Sequence, residues 1–151
     1  METPQVSRKR AFGAPTIARI GLGALLLLTG IAKLADIRGF AGIVADYSLL
    51  PDVLLLPVAL AIGLAELGLA FWLLSGRRVA AAAAVTLVMH LAYFLLLATT
   101  LLRGITLSNC GCFGVFWPRP LGLSSLAEDL VLAAIAFLLW RSAARRAAVT
   151  R

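Results

Sequence analysis

Two cysteines separated by a single glycine, Cys110-Gly111-Cys112, are the residues of this sequence best suited to chemistry. Thiols at this spacing can close a disulfide, and the glycines there permit the positive φ and tight reversal that a bridge between positions i and i+2 needs. A bridge over so short a loop would be strained, and strained disulfides are more easily reduced. The spacing therefore favours a disulfide that opens and closes over one that only staples the chain.

Two other uses of the cysteine pair stay open. A static disulfide could close a hairpin, although it would constrain almost no chain, because stabilisation by a disulfide grows with loop length. A metal site is the second alternative, but two thiolates and one histidine do not complete the four-ligand shell of zinc. That histidine, His90, also lies about 18 Å from Leu102 along its predicted helix, far from the cysteine loop. No residue is therefore assigned as a metal ligand.

Ionisable side chains inside long apolar runs form a second group of candidates: Lys33, Glu66, His90, Glu128 and Asp129. Charged groups are costly within a membrane, so they suggest a function such as a polar pocket or a proton relay. Glu66 and His90 both lie about 18–20 Å from the outer ends of their predicted helices, which allows a hydrogen bond between them. Each could instead satisfy a backbone or hydroxyl partner and fix helix packing, and this packing role is slightly favoured.

Lys33 lies nearer the surface, only about 3 Å from the outer end of its run, so its ammonium could snorkel to the interface. It could equally neutralise Glu128 or Asp129, which lie about 10–12 Å from the outer end of theirs. In that case the outer half of the bundle would contain a polar pocket beneath the cysteine loop.

Membrane helices are the elements that must position these residues. Of the 151 residues, 62% are hydrophobic and 14% are charged, whereas soluble domains average about 45–50% apolar and roughly 25% charged residues. About 20 apolar residues cross a bilayer as helix, and such runs occupy about 16–35, 53–74, 79–102 and 121–140. The sequence therefore predicts an all-α fold, a four-transmembrane-helix bundle in a lipid bilayer. The first run is interpreted as a retained helix, because it exceeds the apolar core of about 7–15 residues in a signal peptide.

A fifth, short helix is predicted in the first outer loop. Phe40, Ile43, Val44 and Tyr47 fall at positions i, i+3, i+4 and i+7, a spacing that suits a short helix lying in the outer interface with its apolar face down toward the membrane. Asp52 is expected to cap the second membrane span.

Lysine and arginine counts predict the orientation. Ten of these residues fall in the two terminal segments and the second loop, and four fall on the opposite side. Because cytoplasmic loops carry the excess of such charges, both termini are predicted to be cytoplasmic and the cysteine loop to lie outside the inner, or plasma, membrane. Residues 1–15 and 141–151 are then basic cytoplasmic tails flanking a membrane domain at 16–140. The net charge of +7 is spread over tails and loops, which argues against nucleic-acid binding.

Several segments resemble the MauE/DoxX family of redox-associated membrane proteins. The resemblance is carried by Thr29–Asp36, by Glu66-Leu67-Gly68 and above all by Asn109-Cys110-Gly111-Cys112-Phe113-Gly114, which is similar to the MauE side of the family. It extends from about Ala18 to Trp140. It implies a four-helix membrane bundle in which Cys110 and Cys112 are the redox residues, while Lys33 and Glu66 match family positions of unassigned role.

The resemblance also implies a pathway and partners. MauE is linked to methylamine utilisation, where it is thought to assist disulfide formation in the small subunit of methylamine dehydrogenase beside a thioredoxin-like protein, MauD. The leading hypothesis is therefore a membrane thiol–disulfide redox protein, or an accessory to one, that exchanges its disulfide with a MauD-type partner or an exported substrate. The rival hypothesis is a non-enzymatic membrane scaffold or assembly subunit with a structural disulfide.

Electron transfer and the choice of attacking sulphur are left open by the residues. The sequence indicates no certain cofactor. A quinone in the outer pocket could carry the electrons, by analogy with DsbB-type proteins, which share the four-helix architecture. Arg103 and Arg119 could lower the pKa of either thiol. Because the two cysteines have nearly symmetric sequence surroundings, the sequence does not decide which of them attacks.

Overall fold

The structure, a computed structural model, describes residues 13–149. In this range the chain is all-helical and contains no strand. Its five helices are α1 (Ala14–Ala35), α2 (Ile37–Asp46), α3 (Asp52–Ser75), α4 (Val79–Leu102) and α5 (Leu123–Val149). The basic residues Arg8, Lys9, Arg10 and Arg151, and most of the predicted N-terminal tail, lie outside the described residues.

Four of the helices are long and apolar enough to cross a membrane, each over 22–24 residues. Large apolar side chains on all four face outward, among them Leu28, Leu64, Leu95 and Leu138. Exposed apolar surface on this scale marks a protein whose surroundings are apolar. The predicted four-helix membrane bundle is confirmed. α5 begins two residues later than the predicted run at 121–140 and continues beyond it to Val149.

The short helix predicted in the first loop is also present, as α2. Phe40, Ile43 and Tyr47 are buried, so the apolar face inferred from their spacing packs into the protein. The Asp36 side chain caps α2 by accepting a hydrogen bond from the Gly39 amide at 2.9 Å. The cap expected of Asp52 is absent, because Pro51 occupies the cap position and Asp52 is the first residue of α3.

The bundle consists of two closely packed helix pairs. α1 packs mainly against α3 and α4 mainly against α5, while α3 and α4 touch less although they are consecutive in the chain. Glycines permit the close contact of the first pair: a Cβ at Gly30 would lie 3.0 Å from the Leu67 side chain, and one at Gly63 would lie 2.7 Å from the Leu34 side chain. Small residues at such contacts let membrane helices approach each other. The looser contact between α3 and α4 leaves room for a cavity between the two pairs.

Candidate functional site

The cysteines lie in the loop between α4 and α5, residues 103–122, called here the cysteine loop. Two backbone hydrogen bonds join its two sides, from Leu121 N to Leu107 O at 3.0 Å and from Cys110 N to Arg119 O at 2.7 Å. These bonds satisfy backbone groups that a loop beside a membrane must pair. The loop is therefore a folded element that can hold the two thiols in place.

A tight turn carries the two cysteines. Asn109 closes it, because its side chain accepts a hydrogen bond from Gly111 N at 3.0 Å and donates one to Gly114 O at 3.1 Å. Gly111 and Gly114 have φ values of +75° and +70°, which glycine adopts without strain. At Gly114 the loop also touches α1, since a Cβ there would lie 3.1 Å from the carbonyl carbon of Ala32. The Asn-Cys-Gly-Cys-Phe-Gly segment thus has the residues that this turn and contact require.

The two thiols face each other. The Cys110 and Cys112 sulphurs are 2.7 Å apart, and both cysteines are free. Cys110 is buried and Cys112 is partly exposed. Their carbonyls are held from outside the loop: the Tyr47 hydroxyl of α2 donates to Cys110 O at 2.6 Å, and the Lys33 ammonium of α1 donates to Cys112 O at 2.8 Å. The pair is therefore positioned for forming a disulfide and is accessible mainly through Cys112.

The surroundings of the thiols make them chemically unequal. A hydrogen bond from the Cys112 thiol is the main cause that lowers the pKa of Cys110 to about 6, and it outweighs burial; nearby Ser125 and the positive charge of Arg119 lower that pKa further. The pKa of Cys112 is raised by the same hydrogen bond, by burial and by the charge of ionised Cys110. In the reduced pair Cys110 is therefore the thiolate at neutral pH, and Cys112 keeps its proton.

The two arginines considered for this effect have different roles. Arg119 lies near Cys110 and pairs with Glu128, from Nη1 to Oε2, at 2.8 Å. Arg103 instead donates from Nη1 to the Tyr47 carbonyl at 3.0 Å, and so joins the end of α4 to the end of α2.

Lys33 and Glu66 form a buried ion pair between α1 and α3. The Lys33 ammonium lies 2.9 Å from Glu66 Oε2, and both side chains are almost wholly buried. Thr29 also donates to Oε2, and the Tyr93 hydroxyl donates to Oε1, each at 2.9 Å. The allowed Glu66–His90 hydrogen bond does not form, and Lys33 neither snorkels nor pairs with an α5 carboxylate. The physical reason is that α3 packs against α1, which places Glu66 opposite Lys33.

His90 and Asp129 form the second buried pair, between α4 and α5. His90 Nδ1 lies 3.1 Å from Asp129 Oδ1, and both residues are buried. Within the described part of the chain, His90 Nε2 and Asp129 Oδ2 have no hydrogen-bond partner. The His90 ring packs edge-on against Tyr93, with centroids 6.2 Å apart. The two pairs are therefore neighbours, linked through Tyr93.

A cavity of about 240 Å³ lies between the two helix pairs. Side chains from all five helices and from the cysteine loop line it, and most of its wall is apolar. All the predicted site residues border it: Lys33, Glu66, His90, Cys110, Cys112, Glu128 and Asp129. His90 was expected to be far from the cysteines, yet both line one cavity, because the loop packs against the last turn of α1 and beside α5.

Four residues of this site were missed by sequence reasoning: Thr29, Tyr93, Ser125 and the hydroxyl of Tyr47. Three of them lie one helical turn from a predicted residue, at Thr29–Lys33, His90–Tyr93 and Ser125–Asp129. Residues three or four apart share a helix face, so this spacing could have identified them. Tyr47 was predicted only as part of the apolar face of α2, and its bond to Cys110 is visible only in three dimensions.

Comparison with known proteins identifies the family. The model of the family described as "Methylamine utilisation protein MauE" matches residues 13–142. The chain is 31% identical to the methylamine utilization protein MauE of Paracoccus denitrificans over 78% of its own length, and 33% identical to that of Methylophilus methylotrophus over 81%. It spans 63% and 64% of the lengths of these two curated relatives. No solved structure matches the chain. By sequence over most of its length, the chain belongs to the MauE family.

Proposed function

We propose that this protein is a membrane thiol–disulfide redox protein whose Cys110–Cys112 pair exchanges with a thiol pair of another protein on the outer side of the membrane. The observation that carries the proposal is the geometry of the pair: two sulphurs 2.7 Å apart in a turn that burial and hydrogen bonding make unequal. A purely structural disulfide gains nothing from a thiol with a pKa of about 6. A disulfide that exchanges does gain from such a thiol, because a sulphur of low pKa is the better leaving group.

The exchange begins from the oxidised pair. A thiolate of the partner protein attacks the sulphur of Cys112, which is the more exposed residue of the two, and forms a mixed disulfide. The Cys110–Cys112 bond breaks, and its electron pair stays on Cys110, which leaves as a stabilised thiolate. The second thiol of the partner loses its proton and attacks the partner's own sulphur in the mixed disulfide. Cys112 is released and takes up a proton, so that the partner gains a disulfide and this protein holds the two electrons.

The partner is a thioredoxin-like protein of the MauD type or an exported protein that receives a disulfide. Membership of a family named for methylamine utilisation supports a part in that pathway, and we place the exchange in the maturation of methylamine dehydrogenase. Ten basic residues on one side against four on the other support cytoplasmic termini and an outer cysteine loop in the plasma membrane. A reporter fused after Arg151 should be active only in the cytoplasm, and activity outside would reverse this orientation.

A thiol-trapping experiment in cells tests the proposal. Thiols are blocked with a mass-shifting maleimide after the growth medium has been made more reducing or more oxidising. We expect the wild-type pair to move between the reduced and oxidised forms, and Cys110→Ser to lose disulfide delivery to exported proteins. The double variant Cys110→Ser/Cys112→Ser is the control for labelling. A pair that stays fully oxidised throughout, together with wild-type behaviour of Cys110→Ser, would contradict the proposal and favour the scaffold hypothesis.

A further inference from the structure

Two polar atoms deep in the bundle lack a partner among residues 13–149: His90 Nε2 and Asp129 Oδ2. The two residues are only 4% and 6% exposed. Leaving a buried polar group unpaired is destabilising, and a membrane offers no bulk water to relieve that cost. The neighbouring Lys33–Glu66 pair differs, because Thr29 and Tyr93 complete its hydrogen bonds. The His90–Asp129 pair is therefore the place where a molecule from outside the chain would be bound.

The cavity that these residues line has a composition suited to an organic ligand. His90 and Asp129 supply polar groups, whereas Leu26, Ile62 and Leu97 contribute apolar wall. Water needs two to four polar partners at each position, and such a wall does not supply them along its length. Apolar walls with a few placed polar groups are typical of small-molecule sites. The expected occupant is an apolar molecule that carries hydrogen-bonding oxygens.

The buried thiol is open to the cavity more than to the outer water. α2 covers the turn, with Ile43 and Phe40 so close to Gly111 that a Cβ there would lie 2.9 Å and 3.2 Å from them. Cys110 is 7% exposed, and it lines the cavity. The cavity lining also includes Leu49, which is 53% exposed where α2 connects to α3. The cavity therefore reaches the protein surface near Leu49, and a small molecule that enters it there can approach Cys110.

We infer that this cavity binds the head group of a lipid-soluble quinone, with His90 and Asp129 as the residues that hydrogen-bond its oxygen. The inference rests on the proposed function, since it names the acceptor that restores the disulfide. The Cys110 thiolate and the Cys112 thiol form one S–S bond, and they give up two electrons and the Cys112 proton. The two quinone oxygens take up these electrons, that proton and a second proton from water, and become hydroxyls. The electrons gained from a partner protein are thus carried away by the reduced quinone, which is soluble in the membrane.

The His90–Asp129 pair suits both forms of this ligand. With Nδ1–H donated to Asp129, protonated His90 also presents an Nε2–H that can donate to a quinone carbonyl. Neutral His90 presents an Nε2 lone pair that accepts from a hydroxyl, and Asp129 Oδ2 can also accept from a hydroxyl of the reduced ligand. His90 Nε2 can therefore hold the oxidised ligand before the reaction, and both atoms can hold the reduced ligand after it.

Photolabelling tests the site without relying on turnover. The full-length protein in lipid nanodiscs is labelled with an azido-benzoquinone that carries a ten-carbon tail, and the labelled peptides are located by mass spectrometry. We expect saturable labelling of cavity segments that decylubiquinone competes away. His90→Asn keeps a donor near the Nδ1 position but removes Nε2, and it should weaken competition by about tenfold, the cost of roughly one hydrogen bond. Thr86→Val, on the same helix but outside the cavity lining, should leave labelling unchanged.

The outcomes separate this inference from the proposed function. Labelling that does not saturate, as expected of a cavity filled by water or an acyl chain, overturns the quinone site, and so does equal competition in wild type and His90→Asn. If His90→Asn unfolds, Ile62→Phe is the deciding variant, because its larger side chain adds volume to the apolar wall of the cavity and should abolish labelling. The double variant Cys110→Ser/Cys112→Ser should still bind the quinone. Quinone binding without protein thiol exchange would therefore contradict only the proposed function.

Discussion

At the scale of single residues, the site depends on an asymmetry between two cysteines that look alike in sequence. Cys110 and Cys112 flank one glycine, and their neighbours in the sequence do not show which of the two cysteines has the lower pKa. The pair itself could be predicted as redox-active from its spacing and surrounding glycines. The asymmetry could not, because the hydrogen bond from the Cys112 thiol and the smaller effects of Ser125 and Arg119 lower the pKa of Cys110 only in the folded chain. The pH dependence of the thiols therefore tests the structure rather than the sequence.

Ionisation of Cys110 should depend on the donor at position 112. In the reduced wild-type protein, alkylation of Cys110 by iodoacetamide should increase with pH through a midpoint near 6, because the thiolate reacts and its pKa is about 6. Cys112→Ala removes the hydrogen bond and should shift the midpoint upward, toward or above the ordinary thiol value of about 8.5. Cys112→Ser retains a donor and should keep much of the lowering. A single midpoint shared by all three proteins would contradict the assigned hydrogen bond.

At the scale of elements, the apolar runs and the spacing in the first loop predicted the four long helices and α2. They did not predict which helices pair. A membrane helix is apolar around most of its circumference, so its hydrophobic pattern does not identify the face that meets a given neighbour. Glu66 was therefore compared with His90 on the next helix, whereas α3 in fact packs against α1 and pairs Glu66 with Lys33. Gly30 and Gly63 are the residues that permit this close packing, but only the structure shows that they contact Leu67 and Leu34.

The turn that carries the cysteines should fail if Gly114 receives a side chain. Gly114→Ala puts a Cβ at a φ of +70° and 3.1 Å from α1, and both effects disfavour the native loop by about 1–3 kcal/mol in total. We expect a lower melting temperature and faster labelling of Cys110 by a bulky maleimide. Gly122→Ala is the matched control in the same loop, because it meets nothing within 4 Å and requires no positive φ. Equal labelling of the two variants would show that the Gly114 contact does not hold the turn.

The Lys33–Glu66 pair should stabilise the contact between α1 and α3 only while both partners are present. Lys33→Met leaves a buried carboxylate without its cation and should cost about 3–5 kcal/mol, whereas Lys33→Met/Glu66→Gln should recover much of that loss. Unfolding with sodium dodecyl sulfate in mixed micelles measures both. The half-exposed Arg119–Glu128 pair is the comparison, and Glu128→Gln should cost no more than about 1 kcal/mol. Additive losses in the double variant would mean that Lys33 and Glu66 do not interact.

At the scale of the whole molecule, two helix pairs surround a cavity, and the cysteine loop forms part of its wall. Both cysteines border the cavity, and Cys112 is also partly exposed. This arrangement fits the proposed transfer of electrons between an external protein and a ligand in the cavity. Composition and charge distribution predicted the membrane bundle. The cavity is a product of unequal packing between consecutive helices and has no counterpart in the linear sequence. Family membership adds methylamine utilisation as the setting in which the exchange is proposed.

Capture of a mixed disulfide tests the exchange most directly. Membranes from cells that express Cys110→Ser or Cys112→Ser at equal levels are treated with a thiol-blocking agent, and disulfide-linked species are isolated and identified by mass spectrometry. We predict that Cys110→Ser accumulates a thioredoxin-like or exported protein bound through the partly exposed Cys112. The Cys112 thiolate attacks the disulfide of the oxidised partner, one partner sulphur leaves as a thiolate, and no Cys110 thiol is present to release the bound partner. Cys112→Ser should yield several-fold less, because Cys110 is covered by α2. Capture mainly through Cys110, or through neither cysteine, would contradict disulfide exchange through Cys112.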